Sequence, residues 1–279
     1  MASYRTRKTL DVVLRWACLV ATLCAMIPLI SILLFVGREG IKGLSLDFLT
    51  HLPKPVGELG GGVANAIVGT VTIVAMACAM AIPAGILAGV YLAEYGKSRL
   101  GYAVRFTADV LSGVPSIVVG MFVYAVVVIP MKRQSAIAGS IAIAILMLPT
   151  IARTTEELMK LVPNALREAA LALGVPRWRT VLRVVVRTAL PGIVTGIMLA
   201  VARGTGETAP LLFTSANNRN WPEGIDQPTS TLTVQIFQYS VAPYDDWHQQ
   251  AWAAALVLIA FVLGLNILSR LLVRHRVSR

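Results

Sequence analysis

The chain has 279 residues, of which 56% are hydrophobic and only 14% charged, with a mean hydropathy of +0.72. Soluble domains carry about 45–50% apolar and about 25% charged residues, so this composition excludes one soluble globule. The formal charge of +11 does not call for a nucleic-acid partner, because Lys and Arg gather beside the ends of apolar runs, as orientation signals do.

Those runs predict an all-α integral membrane protein with six transmembrane helices, about 20 apolar residues being enough to span the hydrocarbon core. The first covers about Val13 to Val36, behind Arg5, Arg7 and Lys8. It is too long for the apolar part of a signal peptide, and no small-residue cleavage site follows it before Gly37-Arg38-Glu39. The second runs from about Val63 to Tyr91, with Pro83 and Gly85 breaking its later part, and the third from about Val104 to Ile129. The fourth covers about Ser135 to Ile151, the fifth about Thr188 to Phe213 and the sixth about Trp252 to Val273.

Orientation follows from the cations between the runs. Eighteen of the 25 Lys and Arg lie in the N-terminus, the 93–105 and 153–187 loops and the C-terminus, and six lie in the alternate segments. This bias predicts that both termini are cytoplasmic. The outer segment 214–250 carries Trp221, Tyr239, Tyr244 and Trp247 with several prolines, a composition suited to a membrane interface. Its stretch from Leu232 to Ser240 fits one helical face and also fits a strand.

Enzyme chemistry has little to stand on. His51, His248 and His275 have no candidate nucleophile or second ligand nearby, and Cys18, Cys24 and Cys78 fall within apolar runs as small hydrophobes. The run Tyr91 to Ser98 ends like a phosphate-binding P-loop but lacks its opening glycine and follows a transmembrane run. Gly204-Thr205-Gly206-Glu207-Thr208-Ala209 matches a loose dinucleotide pattern, with no strand before it. The chain is therefore expected to bind no nucleotide, cofactor or metal, and any energy for transport must come from an ion gradient or from another subunit.

The loop at about 153–187 is the most informative. Glu156 to Pro163 reads as the tail of a helix stopped by proline. Asn164 can then cap a short helix that Glu168 and the alanines propagate and Gly174 ends in a left-handed conformation, with Pro176 opening the next. A short Ala-rich helix on the solvent side suits either an ordinary amphipathic loop or docking into a groove of a partner.

Glu168-Ala169-Ala170-x3-Gly174 resembles the E-A-A-x3-G loop of the ABC importer permeases. In that family the loop inserts into the ATPase subunit, which implies an ATPase-coupling role for Glu168, Ala169, Ala170 and Gly174. The family's later I-x-L-P slots hold Val184, Val186 and Arg187 here, with Leu190-Pro191 displaced downstream. Ala108-Asp109-Val110-Leu111-Ser112-Gly113-Val114-Pro115-Ser116-Ile117-Val118 is similar to a segment of the phosphate permeases. So is Arg203-Gly204-Thr205-Gly206-Glu207-Thr208-Ala209-Pro210-Leu211-Leu212-Phe213-Thr214, as are Tyr91-Leu92-Ala93-Glu94-Tyr95 and Val234-Gln235-Ile236.

The resemblance, to PstA-type permease subunits, covers roughly residues 60–260. It implies a MetI-like permease core at 61–273, preceded by a tail, first span and outer loop at 1–60 and followed by a basic tail at 274–279. It further implies phosphate import through a bacterial inner membrane. The expected partners are a second related permease, an ATPase dimer holding ATP and Mg, and an extracytoplasmic phosphate-binding protein. Other readings remain: a permease for another oxyanion or small polar solute, or an ion-coupled carrier that needs no docking loop.

Arg203 and Glu207 are four residues apart, so they are expected to share one helical face of the fifth span. A charge inside such a span costs at least about 2.5–3.5 kcal/mol, so the pair is expected to face the bundle interior or a watery path. It either fixes helix rotation or lets Arg203 attract phosphate while Glu207 tempers the affinity, the planar guanidinium fork suiting that anion. Asp109 is a further pathway candidate that could equally be a solvated or Arg-paired carboxylate. Gly192, Gly196, Ala200 and Gly204 form a four-residue stripe suited to close helix packing.

Overall fold

A computed structural model describes residues 4–58 and 60–277, and side chains within 8–268 together with Leu271. Helices account for the regular structure among the described residues. Five are long and apolar enough to cross a membrane, or six if one sharply bent pair counts as a single span.

Helix α1, Tyr4–Gly43, stands largely apart from the bundle and touches it near its end. There Phe35 meets Trp252 edge-on at 5.0 Å, and a Cβ at Gly40 would lie 2.8 Å from Leu256. Helix α2, Leu46–Thr50, is capped by Ser45 and buries Phe48. Helix α3, Ala64–Tyr95, passes unbroken through Pro83, where the sequence suggests a break. Neighbouring helices can compensate the hydrogen bond that a proline removes within a span.

The third apolar run is two helices. Helix α4, Arg99–Gly113, and helix α5, Ser116–Val123, meet at a bend of 106°. The physical cause is Pro115: it has no N–H to continue the helix and pushes Val114 into an extended conformation, ψ 130°. A π-helical turn, Tyr124–Val128, and the short α6, Ile129–Met131, complete this arm.

Helix α7, Ala136–Lys160, starts at Ser135, whose hydroxyl accepts from the Ala138 amide at 3.1 Å. It joins the fourth run and the expected loop helix into one element. The α8 helix spans Asn164–Ala172 and α9 spans Arg177–Thr180. A π-turn, Val181–Val185, leads into α10, Val186–Thr205, so the fifth span is continuous from Arg177 to Thr205. It starts earlier than the apolar run and stops before its end. Pro210, near the start of α11, Ala209–Thr214, cannot donate back into α10, so the helix restarts there.

The outer segment resolves as α12, Leu232–Ser240, a helix capped by Thr231, and α13, Asp245–Val277, closes the bundle. Thr229, Ser230, Thr231, Thr233 and Gln235 are all buried here. Buried polar groups need partners. Leu232 N donates to Thr70 Oγ1 of α3 at 2.9 Å, and Thr233 Oγ1 donates to the Glu207 carbonyl at 2.9 Å. Burial pushes the Tyr239 hydroxyl above its ordinary range, leaving it neutral to accept from Gln235 at 3.0 Å.

The core lies between α3, α7 and α10, where Ile73, Ile143, Met147, Ile151 and Ile193 are buried. Small residues set the spacing: a Cβ at Gly85 would stand 2.8 Å from Ile151, and one at Gly89 2.5 Å from Thr155.

Candidate functional site

At the α8 end of the bundle, Pro163 occupies the position before the helix and Asn164 opens it, so Asn164 is not the cap. Proline's fixed φ suits that place, and the Asn164 Oδ1 accepts instead from Arg167 Nη1 at 3.3 Å. Glu168 and Ala169 are exposed and Ala170 is half-buried. Gly174 has φ +76°, and it ends the helix with two bonds: Gly174 N to Leu171 O at 2.9 Å and Val175 N to Ala170 O at 3.1 Å. This double closure satisfies carbonyls that a helix end leaves unpaired. Leu166, Leu171 and Leu173 are exposed beside it, the last at 84%. The helix thus offers an apolar surface with one carboxylate.

The small-residue stripe of α10 lies against α7. A Cβ at Gly192 would be 2.8 Å from Leu158, one at Gly196 would strike Thr154, and one at Gly204 would reach Ile143 at 3.0 Å. Ala200, between them, is buried.

Arg203 sits in the last turn of α10, where a cation is favoured by the helix dipole. Glu207 lies beyond the helix end at Thr205, so the two do not share a helical face, contrary to the sequence expectation. They still approach, Nε to Oε1, at 3.9 Å, with the arginine 62% exposed and the glutamate 16%. An ion pair this long and open contributes little, and the guanidinium remains available to an anion. Asp109 is elsewhere: Arg153 Nη2 holds it at 3.0 Å. The Arg-paired reading is therefore the one its geometry supports, and the structure does not bring it to Arg203.

That pair belongs to a charge cluster which hydropathy alone does not reveal. Glu156 is fully buried on α7 and accepts from Arg105 Nε at 2.6 Å, Arg153 Nη1 at 3.2 Å and Lys160 Nζ at 2.5 Å. Arg105 also donates to the carbonyls of Leu92 at 2.9 Å and Gly96 at 2.7 Å. It thereby closes the end of α3. The spacing of Arg153, Glu156 and Lys160 on one helical face is the signal from which part of this cluster could be read. A cavity of about 300 Å³ near α12 and α13, lined by Ile236, Ser240, His248, Ala251, Trp252 and Ala255, holds neither Arg nor Lys and does not suit an anion.

Among known proteins, a family model described as a binding-protein-dependent transport system inner membrane component matches residues 81–279. The phosphate transport system permease protein PstA of Yersinia pestis is 47% identical over 88% of this chain and 83% of its own length. That of Haemophilus influenzae is 41% identical over 97% and 96%. The MetNI methionine ABC transporter, solved in inward-facing conformations, superposes with a TM-score of 0.61 at 19% identity, over 77% of this chain and 94% of that one. A bacterial alginate ABC transporter does so with a TM-score of 0.67 at 13% identity, over 95% of each. Those two likenesses are of fold. By the extent of these sequence matches the chain belongs to the binding-protein-dependent transport system inner membrane components, among their PstA-type permeases.

Proposed function

We propose that this chain is the permease subunit of an ATP-driven importer of inorganic phosphate, a multi-pass protein of a bacterial inner membrane. The observation that carries the reading is 47% identity over 88% of the chain to the phosphate permease of Yersinia pestis. Both termini and α8 face the cytoplasm, as the distribution of Lys and Arg supports. Its exposed Glu168, Ala169 and leucines, ended by Gly174, dock into an ATPase dimer that binds ATP and Mg. A second related permease completes the path, and an extracytoplasmic phosphate-binding protein delivers the anion. Arg203 is the pathway cation. Its exposure and long contact to Glu207 leave its donors free to bind phosphate weakly enough to release it.

The test is uptake into vesicles holding the copurified complex, with and without the ATPase. Phosphate uptake that needs ATP and is not displaced by excess sulfate is expected. Uptake without ATP would replace this reading with an ion-coupled carrier, and equal transport of sulfate would replace phosphate with a broader oxyanion class.

A further inference from the structure

Arg167 directly precedes Glu168 in α8 but is held inside the protein: Glu168 is exposed, while the Arg167 side chain is only 19% exposed. Each of its five N–H donors has an acceptor. Nε and Nη2 donate to Glu94 Oε1 at 3.3 and 3.1 Å, and Nη2 also donates to Met159 O at 2.9 Å. Nη1 donates to Val162 O at 2.6 Å and to Asn164 Oδ1 at 3.3 Å. Glu94 lies one residue before the end of α3 and is 7% exposed. One side chain thus gathers α8, the end of α7 and the end of α3.

A second arginine closes the grip from the other side of α8. Arg177 stands over the Tyr95 ring at 5.4 Å, a cation–π contact to the residue next to Glu94. A guanidinium with all its donors engaged has a fixed orientation, unlike an exposed lysine–carboxylate pair that can slide. A displacement of α8 must therefore displace Glu94. From there it passes into the α3–α7 contact, where Gly85 and Gly89 bring the helices close to Ile151 and Thr155.

We infer that Arg167 and Glu94 are positioning residues for energy coupling, the link that carries movement of α8 into α3. The inference rests on the proposal that α8 docks onto an ATPase. Glu168 faces out and Arg167 faces in, so docking and positioning fall to neighbouring residues.

The experiment uses the whole complex in proteoliposomes, measuring bound ATPase, ATP hydrolysis and phosphate uptake in the same preparation. Arg167→Gln and Glu94→Gln are expected to retain the ATPase and its hydrolysis while phosphate moved per ATP falls about tenfold, a common size for a coupling effect. The double variant should be no worse than the poorer single one, because both remove the same link. Arg167→Lys, which keeps the charge without the fork, should recover part of the ratio. Wild-type phosphate per ATP in both Gln variants would overturn the inference, and so would loss of bound ATPase from Arg167→Gln, which would make the arginine a docking residue. Should Arg167→Gln fail to fold, Glu94→Gln decides on the same ratio, since its amide keeps the shape of the side chain while removing the charge that holds the guanidinium. If the unaltered complex holds no ATPase or imports phosphate without ATP, the proposed function falls and the inference with it, before any variant is compared.

Discussion

Arg105 donates through Nε to Glu156 at 2.6 Å, fastening α4 to a carboxylate on α7 that solvent does not reach. Its Nη atoms meanwhile hold the carbonyls of Leu92, in the last turn of α3, and of Gly96, just past its end. Three helices thus converge on one guanidinium, and the charge that keeps it there is Glu156.

Glu156→Gln keeps the shape of that side chain and removes its charge. Arg105, Arg153 and Lys160 would then crowd a neutral amide. Removing one partner of a buried, hydrogen-bonded charge pair costs on the order of 2–4 kcal/mol. A clearly lower thermal midpoint of the detergent-solubilised protein is expected. An unchanged midpoint would mean that water reaches the cluster.

Gly174 supplies a conformation and no packing. Its φ is +76° and nothing lies within 4 Å of a Cβ built there. Gly174→Asn should therefore retain most uptake, because Asn tolerates the left-handed region. Gly174→Val should lose uptake at normal membrane abundance, because a β-branched side chain does not adopt that φ without strain. Equal uptake by the two variants would remove the conformational explanation.

The glycines of the spans divide by their surroundings. Gly196→Leu places a side chain into Thr154, and overpacking of that kind costs about 1–3 kcal/mol. Gly264, with nothing within 4 Å of a Cβ, should accept Ala without loss. Comparing the folded yield of Gly196→Leu with that of Gly264→Ala checks this division.

For Arg203 the expected outcome is a separation of assembly from transport. Its contact with Glu207, 3.9 Å long and largely open, holds no packing together. Arg203→Gln should leave the complex intact and abolish phosphate uptake. The reversed pair, Arg203→Glu with Glu207→Arg, should assemble without transporting, since the cation would then stand beyond the end of α10. Near-normal uptake by the reversed protein at matched abundance would reduce the pair to a structural device.

The long spans were legible because hydropathy sums over many residues, and α1, α3, α7 and α13 fall on the apolar runs. Direction within a run is not in that sum. The third run stays apolar through Ser112-Gly113-Val114-Pro115, where the chain turns by 106°, and the fifth stays apolar past Thr205, where α10 stops. Both breaks carry Gly and Pro, so the punctuation is visible once composition is set aside. Gly174 was legible for a local reason, a short helix needing a residue of positive φ at its end. The link from Arg167 to Glu94 joins positions 73 apart in sequence and Asp109 to Arg153 joins two different helices, and no local pattern records such pairs. The E-A-A motif drew attention to Glu168, while the inward neighbour carried the contacts.

The bend between α4 and α5 leaves those helices joined by Val114 and Pro115 alone, so α4 leaves the direction of its own span and needs other contacts to stay on the bundle. Two ion pairs, Arg105 to Glu156 and Asp109 to Arg153, help hold it to α7, beside the buried Ala108. Ions in solution screen the exposed pair of Asp109 with Arg153 more readily than the pair at Glu156, which is buried. Raised salt would therefore weaken the Asp109 end of this hold before the Glu156 end, an unevenness that the apolar contact of α7 with α10 does not share.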